Sequence, residues 1–140
     1  MKAKYLLDTD IVIDLIKDRY KLKDKIRKVR FSNCYISEIT LAELHFGAFY
    51  STSYQKHKKE PNEIANTFNV LPISEVLETF GSEKARLMKE GKVIADFDLL
   101  IAVSASIYDC TLITGNEKHH QRIKRVRIEN WRKPEFNEFI

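Results

Sequence analysis

Acidic residues follow several apolar segments of this 140-residue sequence, and they are its first candidates for chemistry. Asp8 comes directly after an apolar pair, Glu43 lies within an apolar helical segment, and Asp98 precedes the most apolar run of the chain. Because buried carboxylates repel one another unless a cation pairs them, carboxylates gathered in one place predict a metal site lined by oxygen atoms. Hard cations such as Mg²⁺ or Mn²⁺ prefer these ligands, and they activate water for phosphodiester hydrolysis.

Each of these carboxylates also suits a purely structural role. Asp8 or Asp10 fits the N-cap of the first predicted helix. Glu43 fits the far end of a capping box with Thr40, and Asp98 fits the N-cap of its own helix. Both interpretations stay open for each residue taken singly, whereas the recurrence of carboxylates at successive strand ends favours the metal site.

Alternating strand and helix patterns run along the whole chain. Short apolar runs predict strands at 3–7, 34–37, 69–73, 111–114 and 126–128. Helical spacing predicts helices at 10–18, 20–29, 38–50, 74–90 and 98–108, with a polar helical segment at 51–68. Pro61 marks an interruption or a first turn within that segment.

This alternation predicts an α/β sandwich with a mostly parallel central sheet of four to five strands. No repeat, low-complexity tract or linker divides the chain, so we expect a single domain over residues 1–140. In such sheets, sites form at the carboxyl ends of the strands. The acidic residues stand at those ends in the predicted order of elements.

The composition predicts a globular cytoplasmic protein. Apolar residues make up 44% of the chain and charged residues 31%, which argues against disorder. The longest apolar runs, such as 99–105, are too short to span a membrane, and the N-terminus does not have the pattern of a signal peptide. Cys34 and Cys110 have apolar neighbours, so we expect buried, reduced thiols.

Two basic segments stand out against a net charge of +4. Segments 17–30 and 118–133 carry +6 each, which leaves −8 for the other residues. A basic rim around an acidic centre would attract a polyanion such as RNA, although each segment alone also fits a solvated helix face. The candidates for phosphate contacts in the second segment are Lys118, Arg122, Lys124 and Arg125.

Aromatic residues near these segments, and an apolar group farther along, have two interpretations each. Tyr20, Phe31 and Trp131 fit base stacking beside the phosphate contacts, while core packing is favoured for Phe31 and Trp131. The helix predicted at 38–50 and the residues after it carry more apolar side chains than one helix face needs. Core burial is predicted for most of them and a protein partner for the excess: Leu41, Leu44, Phe46, Phe49, Tyr50 and Tyr54.

Five stretches of the chain resemble PIN-domain nucleases, and VapC-type toxins in particular. No single stretch is decisive, but their order and spacing cover nearly the whole chain. They are 5–11 (YLLDTDI), 36–48 (ISEITLAELHFGA), 91–102 (GKVIADFDLLIA), 112–116 (LITGN) and 128–131 (IENW). The resemblance implies a PIN-like three-layer α/β/α sandwich.

The same resemblance implies roles for individual residues. Asp8, Glu43 and Asp98 match the acidic metal ligands, which would hold Mg²⁺ or Mn²⁺. Thr9 would help to order a water at the metal, and Thr114 would support the site.

A fourth ligand is left open by the resemblance. Asp96 matches a position that is often acidic and would serve in an outer shell or at a second metal. Asn116, with Glu117 beside it, falls where such nucleases place a fourth polar or acidic residue. Asp10 stands where the family more often has Asn, so its role is open too.

The resemblance further implies an endoribonuclease that cuts structured RNA, such as a tRNA, and acts as the toxin of a toxin–antitoxin pair. It implies a homodimer and a cognate antitoxin, which inserts a basic side chain into the acidic pocket and binds DNA. This chain would reach DNA only through that antitoxin.

Three other functions compete with the toxin interpretation. An RNA-processing PIN nuclease without an antitoxin would share the site. A non-catalytic RNA- or protein-binding module would share only the fold. A phosphatase of the haloacid-dehalogenase type would use Asp8 as nucleophile with Asp10, but Ile11-Val12 replaces the Gly-Thr that this type requires.

Overall fold

The computed structural model describes residues 2–134 of the chain. The predicted domain, 1–140, also includes residues 1 and 135–140, which lie outside the described part. The strands are β1 (Tyr5–Leu7), β2 (Cys34–Ser37), β3 (Asn69–Leu71), β4 (Thr111–Ile113) and β5 (Ile128–Glu129). The helices are α1 (Thr9–Ile16), α2 (Leu22–Val29), α3 (Glu38–Tyr50), α4 (Tyr54–His57), α5 (Glu60–Thr67), α6 (Leu77–Lys89), α7 (Asp96–Ile107) and α8 (Glu117–His120).

The strands form one five-stranded sheet in the order β3-β2-β1-β4-β5, and every neighbouring pair is parallel. The chain first builds from β1 toward β3, which lies at an edge as Pro72 predicted, and then returns to place β4 on the other side of β1. The direction of winding therefore changes between β1 and β4, and ligands bind beside such a switch point in open α/β sheets. The predicted α/β/α sandwich is confirmed.

The two faces of the sheet are buried in separate apolar clusters. Leu6 packs into one cluster with α7, and the next residue, Leu7, packs into the other with α1 and α2. Successive side chains of a strand point to opposite faces, so this split places helices on both sides of the sheet. Both leucines are fully buried. Their burial anchors β1 in the core, so Asp8 stands directly at the carboxyl end of the strand.

Helix α7 begins at Asp96, two residues earlier than predicted. Its N-cap position is Ala95, and Asp98 lies in the first turn, so the interpretation of Asp98 as an N-cap is wrong. The backbone of Ala95 is not helical, so Ala95 takes the N-cap position and Asp96 is the first helical residue.

Other ends differ by a few residues. The segment 51–68 contains two short helices, α4 and α5, and Pro61 stands in the first turn of α5. Strand β5 lies at Ile128–Glu129 instead of 126–128, because these residues pair with β4. No helix within residues 2–134 has the length and apolarity to cross a bilayer. Cys34 and Cys110 are buried free thiols, as expected.

Candidate active site

Asp8 stands at the carboxyl end of the central strand and is almost completely buried. Its backbone N–H donates to the carbonyl of Ile113, which ties the end of β1 to β4. Its Oδ1 accepts the N–H of Thr9 at 2.8 Å, so Asp8 is also the N-cap of α1. Its Oδ2 accepts from the Thr114 hydroxyl at 2.8 Å and lies 3.2 Å from His120 Nε2. The structural and chemical interpretations of Asp8 are therefore compatible.

Glu43 reaches this edge from α3. Its Oε1 accepts from the Thr9 hydroxyl at 2.7 Å. That hydroxyl has only one proton, so the Thr40 hydroxyl, 2.9 Å away, must donate to Thr9. Ser37, not Thr40, supplies the cap of α3 by accepting the N–H of Ile39. The capping-box interpretation of Glu43 is therefore wrong, because its carboxylate points to Thr9.

The carboxylates interact electrostatically around Asp8. Burial raises the pKa of Glu43, and the charges of Asp8, Asp98 and Asp10 raise it further against the opposing hydrogen bond from Thr9. Burial also raises the pKa of Asp98, together with the charge of Asp8 and against the influence of His120. The structure thus places the three predicted ligands near enough for the charge of one to influence the pKa of another.

Asp10 joins these carboxylates from the first turn of α1. Burial and the charge of Asp8 raise its pKa to about 6, although the Gly115 N–H and Arg132 lower it. Its Oδ2 accepts that N–H at 2.9 Å. Its Oδ1 is buried and has no hydrogen-bond partner within the described residues.

A half-buried arginine pairs with a buried carboxylate beside the acidic residues. Arg132 Nε donates to Asp14 Oδ2 at 2.6 Å, and a second guanidinium nitrogen lies 3.7 Å from Asp10 Oδ2. The guanidinium also covers Gly115, where a Cβ atom would lie 2.2 Å from Arg132 Nη1. Gly115 is therefore the residue that lets Arg132 reach Asp14.

Replacement of Gly115 by alanine should lower the free energy of unfolding by about 1–2 kcal/mol, because Arg132 must then leave a buried carboxylate. In an Arg132→Ala background the same replacement should cost almost nothing, so a double-mutant cycle in urea should give a coupling energy of about 1 kcal/mol or more. Additive effects of the two substitutions would contradict this packing.

His120, Asp14 and Arg132 are the site residues that the sequence did not reveal. His120 is fully buried although it follows the exposed His119. The one local signal is its spacing of three residues from the buried Ile123, which suits the inward face of a helical turn.

The side chains of the three candidates for a fourth ligand have partners other than Asp8. Asp96 is exposed and its Oδ1 bonds Lys84 Nζ at 2.8 Å. The Asn116 amide nitrogen lies 3.2 Å from His119 Nδ1, and Glu117 pairs with Lys133 at 3.0 Å. None of the three hydrogen-bonds to Asp8, Glu43 or Asp98 within the described residues.

The predicted basic and aromatic residues divide into surface and core. All four phosphate-contact candidates, Lys118, Arg122, Lys124 and Arg125, are exposed. Tyr20 is exposed as well, and the Arg132 guanidinium lies 5.5 Å from its ring centre. Trp131 is 1% exposed and contacts the ring of Tyr5, so base stacking by Trp131 is excluded and core packing is confirmed.

The apolar group around α3 is largely on the surface. Leu44 is buried, but Phe46, Phe49 and Tyr50 are among the most exposed large apolar residues of the described chain. Phe46 stacks on Tyr50, and Phe49 stacks on Tyr54. The prediction of core burial for most of this group was wrong, because these residues extend around more of the helix than the sheet covers.

The donor set at the sheet edge fits a hard divalent cation in type and charge. Oxygen atoms of Asp8, Glu43 and Asp98 repel one another, and a cation would relieve that repulsion. In residues 2–134 no three acidic, histidine or cysteine side chains are gathered closely enough to hold an ion. In this side-chain geometry the Glu43 carboxylate accepts a hydrogen bond from the Thr9 hydroxyl.

Known proteins resemble this chain over most of its length. The profile of the PIN domain matches residues 5–126. Ribonuclease VapC1 of Haemophilus influenzae strain R2866 is 34% identical over 92% of this chain and 98% of that protein. The tRNA(fMet)-specific endonuclease VapC of Shigella flexneri is 28% identical over 91% of this chain and 98% of its own length.

A solved structure resembles the fold closely. In the structure of VapBC-1 from nontypeable Haemophilus influenzae, one chain superposes with a TM-score of 0.81 at 35% identity. The superposition covers 92% of this chain and 98% of that one. The likeness therefore extends over nearly all of the sheet and of the helices around the acidic edge.

Proposed function

Because this chain belongs to the PIN-domain family, as its motifs predicted, we propose that it is the ribonuclease toxin of a VapBC-type toxin–antitoxin pair. PIN-domain nucleases generally use a divalent metal ion, and we assign Mg²⁺ or Mn²⁺ to this one. The observation that carries the proposal is that Thr9 links Asp8 and Glu43 at the switch point of the sheet, with Asp98 near enough for its charge to raise the pKa of Glu43. Residues 1–140 would act as a single PIN domain.

The proposed roles follow from the contacts of each side chain. Asp8, Glu43 and Asp98 would hold the ion, which when bound would activate water and neutralise charge developing on a phosphodiester. Thr9 holds Glu43, and Thr114 holds Asp8, so both orient ligands.

Structured RNA is the proposed substrate class. One relative is named as a tRNA(fMet)-specific endonuclease, and the two basic segments of this chain supply charge for a folded polyanion. Cleavage would occur in the cytoplasm.

Neutralising the basic segment should weaken RNA binding without changing its sequence preference. We expect glutamine at Arg122, Lys124 and Arg125 to make the plot of log K against log salt shallower by about 0.7–0.9 for each phosphate that the variant no longer neutralises. Fluorescence anisotropy with labelled tRNA would measure this in a Glu43→Gln background that cannot cut. A matched control removes three exposed lysines outside both segments, namely Lys58, Lys59 and Lys89. Equal weakening in both triple variants would contradict a specific binding surface.

A VapB-like antitoxin is the proposed protein partner. The similar VapC chain is part of a VapBC structure, and the exposed aromatic residues of α3 give this chain an apolar surface for a partner. DNA would be reached only through the antitoxin. We also propose a homodimer.

Induction of this chain alone in a bacterial host, wild type beside Asp8→Asn, tests the function. Growth arrest with discrete new 5′ ends in total RNA, present only with the wild type, would support a ribonuclease toxin. Cuts without arrest would favour an RNA-processing nuclease. Soluble expression with no new ends would contradict the nuclease, and would favour a binding module or, if phosphate is released from small phosphoesters, a phosphatase.

A further inference from the structure

His120 is a buried histidine that lies beside the Asp8 carboxylate. Its side chain is 0% exposed, at the end of the short helix that follows β4. Its Nε2 lies 3.2 Å from Asp8 Oδ2, and its Nδ1 is buried without a hydrogen-bond partner in the described chain. An apolar side chain would fill the same space without leaving a ring nitrogen unbonded, so packing alone does not account for an imidazole here.

The direction of the hydrogen bond follows from the chemistry of its two ends. An ionised carboxylate only accepts, so Nε2 must carry the proton and donate it to Oδ2. The Thr114 hydroxyl donates to the same oxygen at 2.8 Å, and the Thr9 N–H donates to Oδ1 at 2.8 Å. Three donors from three different segments therefore fix the plane of the Asp8 carboxylate.

The three donors do not constrain the carboxylate equally. Thr9 and Thr114 belong to the segments that directly follow β1 and β4, so the sheet itself holds them. His120 belongs to a separate helix, α8. Among the described residues of α8, His120 is the one whose side chain hydrogen-bonds to Asp8. Removal of this donor would leave Oδ2 with one donor and a freer rotation of the carboxylate.

We propose that His120 is a positioning residue that orients Asp8 for the divalent cation. The inference rests on the proposed function, since it takes Asp8 to be a metal ligand. Outer-shell hydrogen bonds of this kind orient ligands, and their removal typically weakens metal binding by about 10–100-fold.

Mn²⁺ binding to the full chain tests the role without using activity. His120→Phe fills the space but has no donor, and it should weaken Mn²⁺ binding about tenfold or more. His120→Gln carries an amide nitrogen at the same distance from the backbone as Nε2, and it should bind close to the wild-type value. Free Mn²⁺ would be measured by its electron paramagnetic resonance signal, and the metal-induced shift in melting temperature would be measured beside it.

Ile123→Ala is the matched control, because Ile123 is buried in the same segment and belongs to the apolar core. It should lower the melting temperature of the metal-free protein and leave Mn²⁺ affinity unchanged. Nitrogen NMR of the metal-free wild type should show His120 protonated at Nε2.

Several results would overturn the proposal. A folded His120→Phe protein with wild-type affinity would do so, as would equally weakened binding in the Phe and Gln variants, and both leave the metal site itself standing. If His120→Phe does not fold, two other results would contradict the proposal. One is a wild-type spectrum in which Nε2 carries no proton, and the other is weak Mn²⁺ binding by folded His120→Gln. A wild type that binds no Mn²⁺ would contradict the proposed metal site and this role together.

Discussion

Replacement of Asp98 by asparagine should reduce RNA cleavage by about a thousandfold or more and yet stabilise the metal-free protein. The fall in cleavage follows from the proposed removal of a metal ligand. The gain in stability follows because burial and the charge of Asp8 raise the pKa of Asp98, so its ionised form is unfavourable in the folded state. Glu43→Gln should behave in the same way, for the same reason.

Asp8→Asn should also abolish cleavage, but it should lower stability by about 1–3 kcal/mol. The asparagine keeps an oxygen on one side only, so its amide N–H would face either the Thr9 N–H, or Thr114 and His120, all of which now donate to Asp8. Urea unfolding in the presence of a chelator would separate the three variants. Opposite changes in the free energy of unfolding, a gain for Asp98→Asn and Glu43→Gln and a loss for Asp8→Asn, would indicate carboxylates that repel one another. Independent helix caps would give a loss in all three variants.

Asp109→Asn is the matched control for this series. Asp109 follows the other end of α7, is exposed and pairs with Arg127, so the same chemical change should leave cleavage and stability nearly unaltered. Destabilisation of the metal-free protein by all three active-site variants would contradict the coupling inferred from the structure.

Trp131→Ala should lower the free energy of unfolding by about 3–5 kcal/mol, a large part of the stability of a small domain. The indole is 1% exposed, its ring centre lies 5.3 Å from that of Tyr5, and its Nε1 donates to Glu129 at 3.0 Å. The main-chain carbonyl of Trp131, which the alanine keeps, accepts from the buried Lys25 ammonium, so the expected loss comes from the indole alone. Urea unfolding followed by circular dichroism would measure the change.

Phe46→Ala provides the comparison, since Phe46 is 66% exposed and should change stability by no more than about 0.5 kcal/mol. A Trp131→Ala protein with native stability and weakened RNA binding would return this residue to the base-stacking role.

The sequence by itself determined the fold and the identity of the acidic residues. Each strand is a short apolar run and each helix a periodic one, and these patterns depend on neighbours within a few residues. Asp8 could be placed at a strand end because Leu6 and Leu7 mark that end locally. The family was predicted from such stretches and is confirmed, while the metal roles of Asp8, Glu43 and Asp98 remain predictions.

The tertiary structure alone decided what surrounds these residues. His120 meets Asp8 across 112 positions of sequence, and Arg132 meets Asp14 across 118. No local pattern encodes such pairs, because their contact depends on how β4 and the segments after it pack beside β1. The same packing turned Trp131 into the core and Asp96 out toward Lys84, since burial is settled by the elements on either side.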